Sequence, residues 1–176
     1  DKRSLIHVEG IQNFTDFPFA LNEVTIHKKD TSNMITVKAW VNDVFMNSYW
    51  ADGLIVSTPT GSTAYSLSCG GPIVMPGSEN VIMTPIAPHN LNVRPVVIPS
   101  TTTVKLEAHT RDQEILLTLD SRSFSLPNNS AISLHKANFE VHLISLPGQE
   151  FFGTIRSKMT VSYTHLRAHE TQLHRV

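Results

Sequence analysis

The chain has 176 residues, 40% of them hydrophobic and 16% charged, with a formal net charge of −1. That balance fits a globular protein large enough to bury a core and excludes an intrinsically disordered chain. No basic run exceeds two residues and Cys69 is the only cysteine; both argue against a dedicated nucleic-acid or anionic-membrane surface, an internal disulfide and a cysteine-based zinc site.

Short strands dominate the pattern. Val24 to His27, Ile35 to Val41 and Val44 to Tyr49 carry β-branched and aromatic residues at strand spacing, with Asn42-Asp43 as a tight turn between the last two. Leu54 to Val56 gives way to a hydroxyl-rich loop, Ser57 to Thr63, and a helix is expected from about Ser62 to the tandem Gly70-Gly71. The strand series resumes with Val96 to Ile98, Val104 to Ala108, Ile115 to Leu119, Ile132 to Leu134 and Phe139 to Leu146, punctuated by Pro99-Ser100, Asp112 and Pro127-Asn128-Asn129. A second helix is expected from about Gln149 to Lys158. The sum is a mainly β fold, a sandwich of antiparallel sheets with one helix after the loop and a short helix near the C-terminus.

The segment Asp52 to Ser68, DGLIVSTPTGSTAYSLS, is the most informative stretch. A strand that delivers small and hydroxylated residues onto a helix start lets the backbone approach a polar ligand closely. The plain alternative is an N-capped surface helix. No lysine follows Gly61-Ser62, so the loop is not a P-loop and suits a nucleoside better than a triphosphate.

The run DGLIVSTPTGSTAYSLSCGGP resembles the central signature of the NAD kinases, the ATP-dependent enzymes that make NADP. Three further blocks resemble that family in order: Ala20-Leu21-Asn22-Glu23-Val24, then Pro85 to His89 with Val93 to Pro99, then Phe151 to Lys158. The resemblance implies transfer of the γ-phosphoryl of ATP, with Mg²⁺, to the adenosine ribose 2′-hydroxyl of NAD by a cytoplasmic homodimer or homotetramer. The family's proton acceptor is the aspartate of a Gly-Gly-Asp-Gly-Thr motif that is not found in this sequence. No catalytic residue and no metal ligand are therefore assigned here, and the chain alone is expected to lack kinase activity.

What the resemblance places in this chain is the dinucleotide grip. Asn22 and Glu23 suit a nucleoside, because an amide donates and accepts while a carboxylate accepts from ribose hydroxyls. Asp52 is implied on the nicotinamide-ribose side, and Thr63, Ala64, Tyr65 and Ser68 match the adenosine-binding segment. Tyr65 offers a flat apolar face with a hydroxyl at its edge, and Ala64 matters for being small. Arg122 replaces the glutamine of the family's Asp-Gly-Gln and is read as reaching a phosphate or lying on the surface. Trp50 stands where members carry a basic residue; His89 and Arg94 read as interdomain or intersubunit structure.

The two ends depart from the family pattern. Residues 1–160 are expected to be the C-terminal NAD-binding β domain, lacking its N-terminal partner domain. Residues 161–176 are expected to be a non-native or disordered tail whose VSYTHLRAHET string is similar to a translated sequencing adapter. His165 and His169 lie four apart, as metal ligands on a helix would, but the HExxH pattern is absent. No signal peptide and no membrane-spanning stretch is evident, so a cytoplasmic setting without nucleic-acid or membrane partners is the default. Two other functions are compatible with the residues alone. One is a lipid kinase of diacylglycerol type; the other is a non-catalytic nucleotide- or carbohydrate-binding β-sandwich.

Overall fold

Alternation of apolar and polar residues sorts the strands onto two faces, and the apolar faces meet. In a computed structural model, which describes residues 1–11, 14–29, 33–144 and 151–157, two six-stranded sheets are formed. The first contains β1 (Lys2–Glu9), β2 (Phe19–Ala20), β4 (Ile35–Val41), β5 (Val44–Ala51), β9 (Val104–His109) and β12 (Ala131–His142), in the order β2-β1-β12-β9-β4-β5. The second contains β3 (Glu23–Lys28), β6 (Gly53–Ser57), β7 (Asn80–Ile86), β8 (Val96–Pro99), β10 (Glu114–Leu119) and β11 (Arg122–Pro127), in the order β11-β10-β3-β6-β7-β8. Every pairing within them is antiparallel, which confirms the expected sandwich.

The core lies between the sheets. Ile35, Val37 and Ala39 of β4 and Leu106 and Ala108 of β9 face Val24, Ile26, Leu54, Ile115 and Leu117 from the other sheet in one buried cluster. Burying each of the larger side chains stabilises the fold by about 1.5–3 kcal/mol. The β4–β5 hairpin closes through Asn42 and Asp43, both at positive φ (48° and 63°), as a two-residue turn of the primed kind requires. The expected turn is therefore present without glycine.

Four strands are present that the residue pattern left out, the two-residue β2 among them. β1 is framed by charges, β7 carries Pro85 opposite Leu54, and β11 alternates serine with Phe124 and Leu126. The two separate runs expected after residue 131 are one strand, β12, ending at His142 rather than Leu146.

The helix after the hydroxyl loop is much shorter than expected. Gly61–Thr63 forms a 3-10 turn, and α1 spans only Tyr65–Ser68, with Ala64 at its N-cap and no side-chain cap. The hydroxyls explain the interruption: Ser62 Oγ donates to the Pro59 carbonyl at 2.7 Å and Thr63 Oγ1 to Thr60 at 3.5 Å. Such local bonds compete with a regular helical ladder. The expected stop does occur. Gly70, at φ +81°, donates to Leu67, and Gly71 donates to Ser66, the pairing of a Schellman motif.

Residues 151–157 are helical (α2), within the expected second helix, and belong to a unit separate from residues 1–143. The boundary near residue 160 and the tail with His165, His169 and His174 lie outside the described residues. Among the described residues no helix is long and apolar enough to cross a membrane.

Candidate functional site

The site is assembled at the ends of β6 and its neighbour β3. Their antiparallel register sets Glu23 opposite Ser57 and His27 opposite Gly53. Asn22 and Glu23 therefore lie at one end of β6 and Asp52, just before its first residue, at the other. At about 3.3 Å per residue, the five residues of β6 separate them by roughly 13–16 Å.

The Asn22 end is built from backbone bonds. Asp120, in the tight β10–β11 turn at φ 52°, accepts from the backbone N–H groups of Leu21 (2.9 Å), Asn22 (2.7 Å) and Glu23 (3.2 Å). From the opposite side Thr58 donates its N–H to the Asn22 carbonyl (2.9 Å) and its hydroxyl to the Leu21 carbonyl (2.6 Å). Gly61 then packs directly on this segment: a Cβ there would stand 2.0 Å from the Asn22 carbonyl oxygen. Glycine at 61 is required by space, and it lets the hydroxyl loop press against the Asn-Glu pair.

Glu23 links the two. Its carboxylate accepts a hydrogen bond from the backbone N–H of Tyr65, the first residue of α1. Burial, followed by the adjacent Asp120 carboxylate, pushes the Glu23 carboxyl up to about 7, although the Tyr65 bond pulls in the other direction. The second carboxyl oxygen, Oε2, is buried with no hydrogen-bond partner among the described residues. The Ser57 hydroxyl, on the directly paired residue, is in the same state. Directly opposed residues of an antiparallel pair share a face, so two unsatisfied buried oxygens sit side by side. Ser57 was not among the residues singled out from the sequence; its place as the last residue of β6, where the hydroxyl loop begins, was the available signal.

α1 lies over the face of the second sheet that points away from the core. Ser66 Oγ and Thr84 Oγ1, the latter from β7, are 2.8 Å apart, and a Cβ on Gly71 would come within 2.3 Å of Ser66 Oγ. This tethering leaves Tyr65 45% exposed. Burial raises its phenol pKa, Cys69 raises it further, and the Asp52 carboxylate adds to the effect. Tyr65 thus connects both ends: its backbone N–H bonds Glu23, and its ring lies within electrostatic reach of Asp52. Asp52 itself forms an ion pair with Lys28 at 2.6 Å.

Of the other expected residues, Thr63 and Ala64 are half-buried and Ser68 is exposed, all beside Tyr65. Arg122 is engaged by the segment before Asn22. Its guanidinium donates to the Phe17 carbonyl at 2.7 Å and to the Phe19 carbonyl, and lies 5.3 Å over the Phe17 ring. It anchors the strand that leads into Asn22. Trp50 packs against His89 with ring centroids 4.3 Å apart and planes tilted by 39°, and Arg94 braces its own loop through the carbonyls of Leu91 and Val93.

The model of the ATP-NAD kinase C-terminal domain matches residues 21–146, which contain Asn22, the hydroxyl loop and Asp120. The chain belongs to this family. It is 47% identical over 161 residues to the NAD kinase of Flavobacterium psychrophilum, covering 90% of this chain and 55% of that protein. With the NAD kinase of Cytophaga hutchinsonii it shares 50% identity over 146 residues, 83% of this chain and 50% of the relative. The chain thus spans about half the length of the curated relatives it matches.

Similar solved structures include two kinases with a bound nucleotide. The NAD kinase of Archaeoglobus fulgidus in complex with ATP has a TM-score of 0.77 at 26% identity, covering 89% of this chain and 60% of that one. Yeast NADH kinase complexed with NADH has a TM-score of 0.68 at 28% identity, covering 77% and 40%. The two-sheet arrangement is therefore that of the NAD kinase C-terminal domain.

Proposed function

We propose that this chain is the dinucleotide-binding part of an ATP-dependent NAD kinase, which phosphorylates the adenosine ribose 2′-hydroxyl of NAD to give NADP. The observation that carries the reading is the buried Oε2 of Glu23, without a partner among the described residues, beside the clamped Asn22 backbone and the backbone N–H of Tyr65. A buried acceptor needs a donor, and a ribose hydroxyl is a donor of suitable size. Asn22 then contacts the same nucleoside, with Thr63, Ala64, Tyr65 and Ser68 shaping the adenosine side. Asp52, a strand length away, takes the nicotinamide-ribose side, and Arg122 holds the Phe17–Phe19 segment that supports Asn22. Residues 1–160 would make up this domain.

Phosphoryl transfer rests mostly on positioning and charge stabilisation, and positioning is what these residues supply. The described carboxylates do not make a magnesium cage: Asp120 is committed to three backbone N–H groups and Asp52 to Lys28. Mg²⁺ enters the proposal only as the ion carried by the ATP phosphates, a common mode for that metal. A homo-oligomeric, cytoplasmic enzyme completes the reading. The lipid-kinase and sugar-binding alternatives are not favoured, since the similar proteins are NAD kinases.

Isothermal titration with NAD, and with a panel of sugars, tests this reading. Saturable NAD binding that is weakened by Asn22→Ala and by Asp52→Ala is expected. NAD binding that both variants leave unchanged, or binding of sugars alone, would count against it.

A further inference from the structure

Outside the dinucleotide site, the outer face of the first sheet carries a three-residue cluster with the chemistry of a metal centre. β1 and β12 pair antiparallel with His7 directly opposite His135, and Glu9 lies two residues along β1 on the same face. His7 Nδ1 is 3.1 Å from His135 Nε2 and 3.5 Å from Glu9 Oε1, and His135 Nε2 is 3.8 Å from that same oxygen. Each residue thus offers one donor atom within 4.8 Å of the others, and in the ion-free cluster the two ring nitrogens share a hydrogen bond that an ion would replace.

The separations are informative. A triangle with sides of 3.1, 3.5 and 3.8 Å has its corners about 2.0 Å from its centre, the length of a zinc–imidazole or zinc–carboxylate bond. Three donors at the corners also leave one side open, as a four-coordinate ion with one water requires. Two imidazoles and a carboxylate select a borderline divalent transition ion over Mg²⁺ or Ca²⁺, which favour all-oxygen shells. The His7 ring is already held in place: it stacks on Phe19 of β2 with centroids 4.5 Å apart and planes 18° apart. The cluster is partly open to solvent, with side-chain exposures of 23% for His7, 34% for His135 and 56% for Glu9, so an ion has access.

We infer that His7, Glu9 and His135 form a binding site for one divalent transition-metal ion, zinc by its donor set. The ion links β1 to β12. Through the His7–Phe19 stack it also steadies β2, the short strand running directly into Leu21, Asn22 and Glu23. The site is thus placed to stiffen the edge of the dinucleotide segment without touching the nucleotide. This inference stands on the cluster's own coordinates and does not depend on the kinase reading.

The test uses the full chain carrying His165→Gln, His169→Gln and His174→Gln, so that tail histidines contribute no zinc binding. After chelator treatment it is titrated with Zn²⁺ calorimetrically and with Co²⁺ by visible absorption. One equivalent of each ion and a tetrahedral-type cobalt spectrum are expected. Adding His7→Gln or His135→Gln should weaken binding by about 100-fold or more. Far-UV circular dichroism checks that these variants fold. Glu9→Gln, at a half-exposed position, is the version least able to perturb folding, and it should weaken binding by about tenfold. The inference is overturned if the triple-tail variant binds no zinc, or if it binds zinc with the same affinity after Glu9, His7 and His135 are each replaced.

Discussion

The Asp120 carboxylate sits 2.7 Å from the backbone nitrogen of Asn22, across a chain separation of 98 residues. Because it also accepts from Leu21 and Glu23, one side chain fixes three consecutive peptide groups at the entrance to β3. Asp120→Asn keeps the side-chain shape and tolerates the positive φ of the turn, but it removes the charge and half of the acceptor capacity. Charged hydrogen bonds contribute about 1.5–3 kcal/mol each, so a net loss of about 1–2 kcal/mol is expected. Urea unfolding measures it. NAD affinity should fall as well, since Asn22 is no longer held; a variant with unchanged stability and unchanged affinity would show that the clamp is idle.

Gly61 and Gly70 contrast two ways in which a glycine is needed. A methyl group at 61 would meet the backbone of Asn22 at 2.0 Å from oxygen and 2.5 Å from carbon. Backbone cannot rotate away as a side chain can, so Gly61→Ala should cost at least about 2–3 kcal/mol and abolish NAD binding. Gly70 has nothing within 4 Å and is constrained only by its φ of +81°. Gly70→Ala should cost about 1 kcal/mol and leave binding nearly intact. Equal effects of the two on the unfolding midpoint and on NAD titration would refute this distinction.

The raised carboxyl of Glu23 gives the fold a pH signature. Its folded value of about 7 lies above the ordinary 4.5. Stability from the neutral carboxyl is therefore fully present below about pH 4.5 and is lost as the pH rises through about 7. Glu23→Gln cannot ionise, so it lacks this loss. Relative to the wild type, the variant should gain stability between about pH 4.5 and about pH 8, as read from paired urea midpoints. A difference between the two proteins that stays constant across that range would refute the assignment.

The strands that were legible in the sequence are those whose apolar residues alternate against a buried neighbour, as in β4 and β10. β1 was obscured because its outward residues are His7, Glu9 and flanking charges, and β7 because Pro85 reads as a breaker although its strand tolerates it. The motif residues Asn22, Asp52 and Tyr65 were named as a group from the sequence, but their spacing along β6 was not visible, since register is a property of paired strands. Asp120 shows the same limit. Its role depends on a backbone 97 to 99 residues away. The short helix was over-read because the hydroxyls that favour a ligand loop are also those that break a helical ladder.

Ala64 offers the most direct test of the adenosine side. It sits between the 3-10 turn and α1, half-buried and next to Tyr65, with the loop backbone of Gly61 accepting its N–H at 2.9 Å. A leucine there keeps that hydrogen bond and adds its bulk toward the space beside Tyr65 that the proposal gives to the nucleoside. Ala64→Leu should weaken NAD binding by about tenfold or more, equivalent to about 1.4 kcal/mol. The unfolding midpoint should change little, since no fully buried core position is altered. Titration calorimetry and urea unfolding on the same preparation separate the two effects. Undiminished NAD affinity with unchanged stability would mean that the dinucleotide does not lie against this loop.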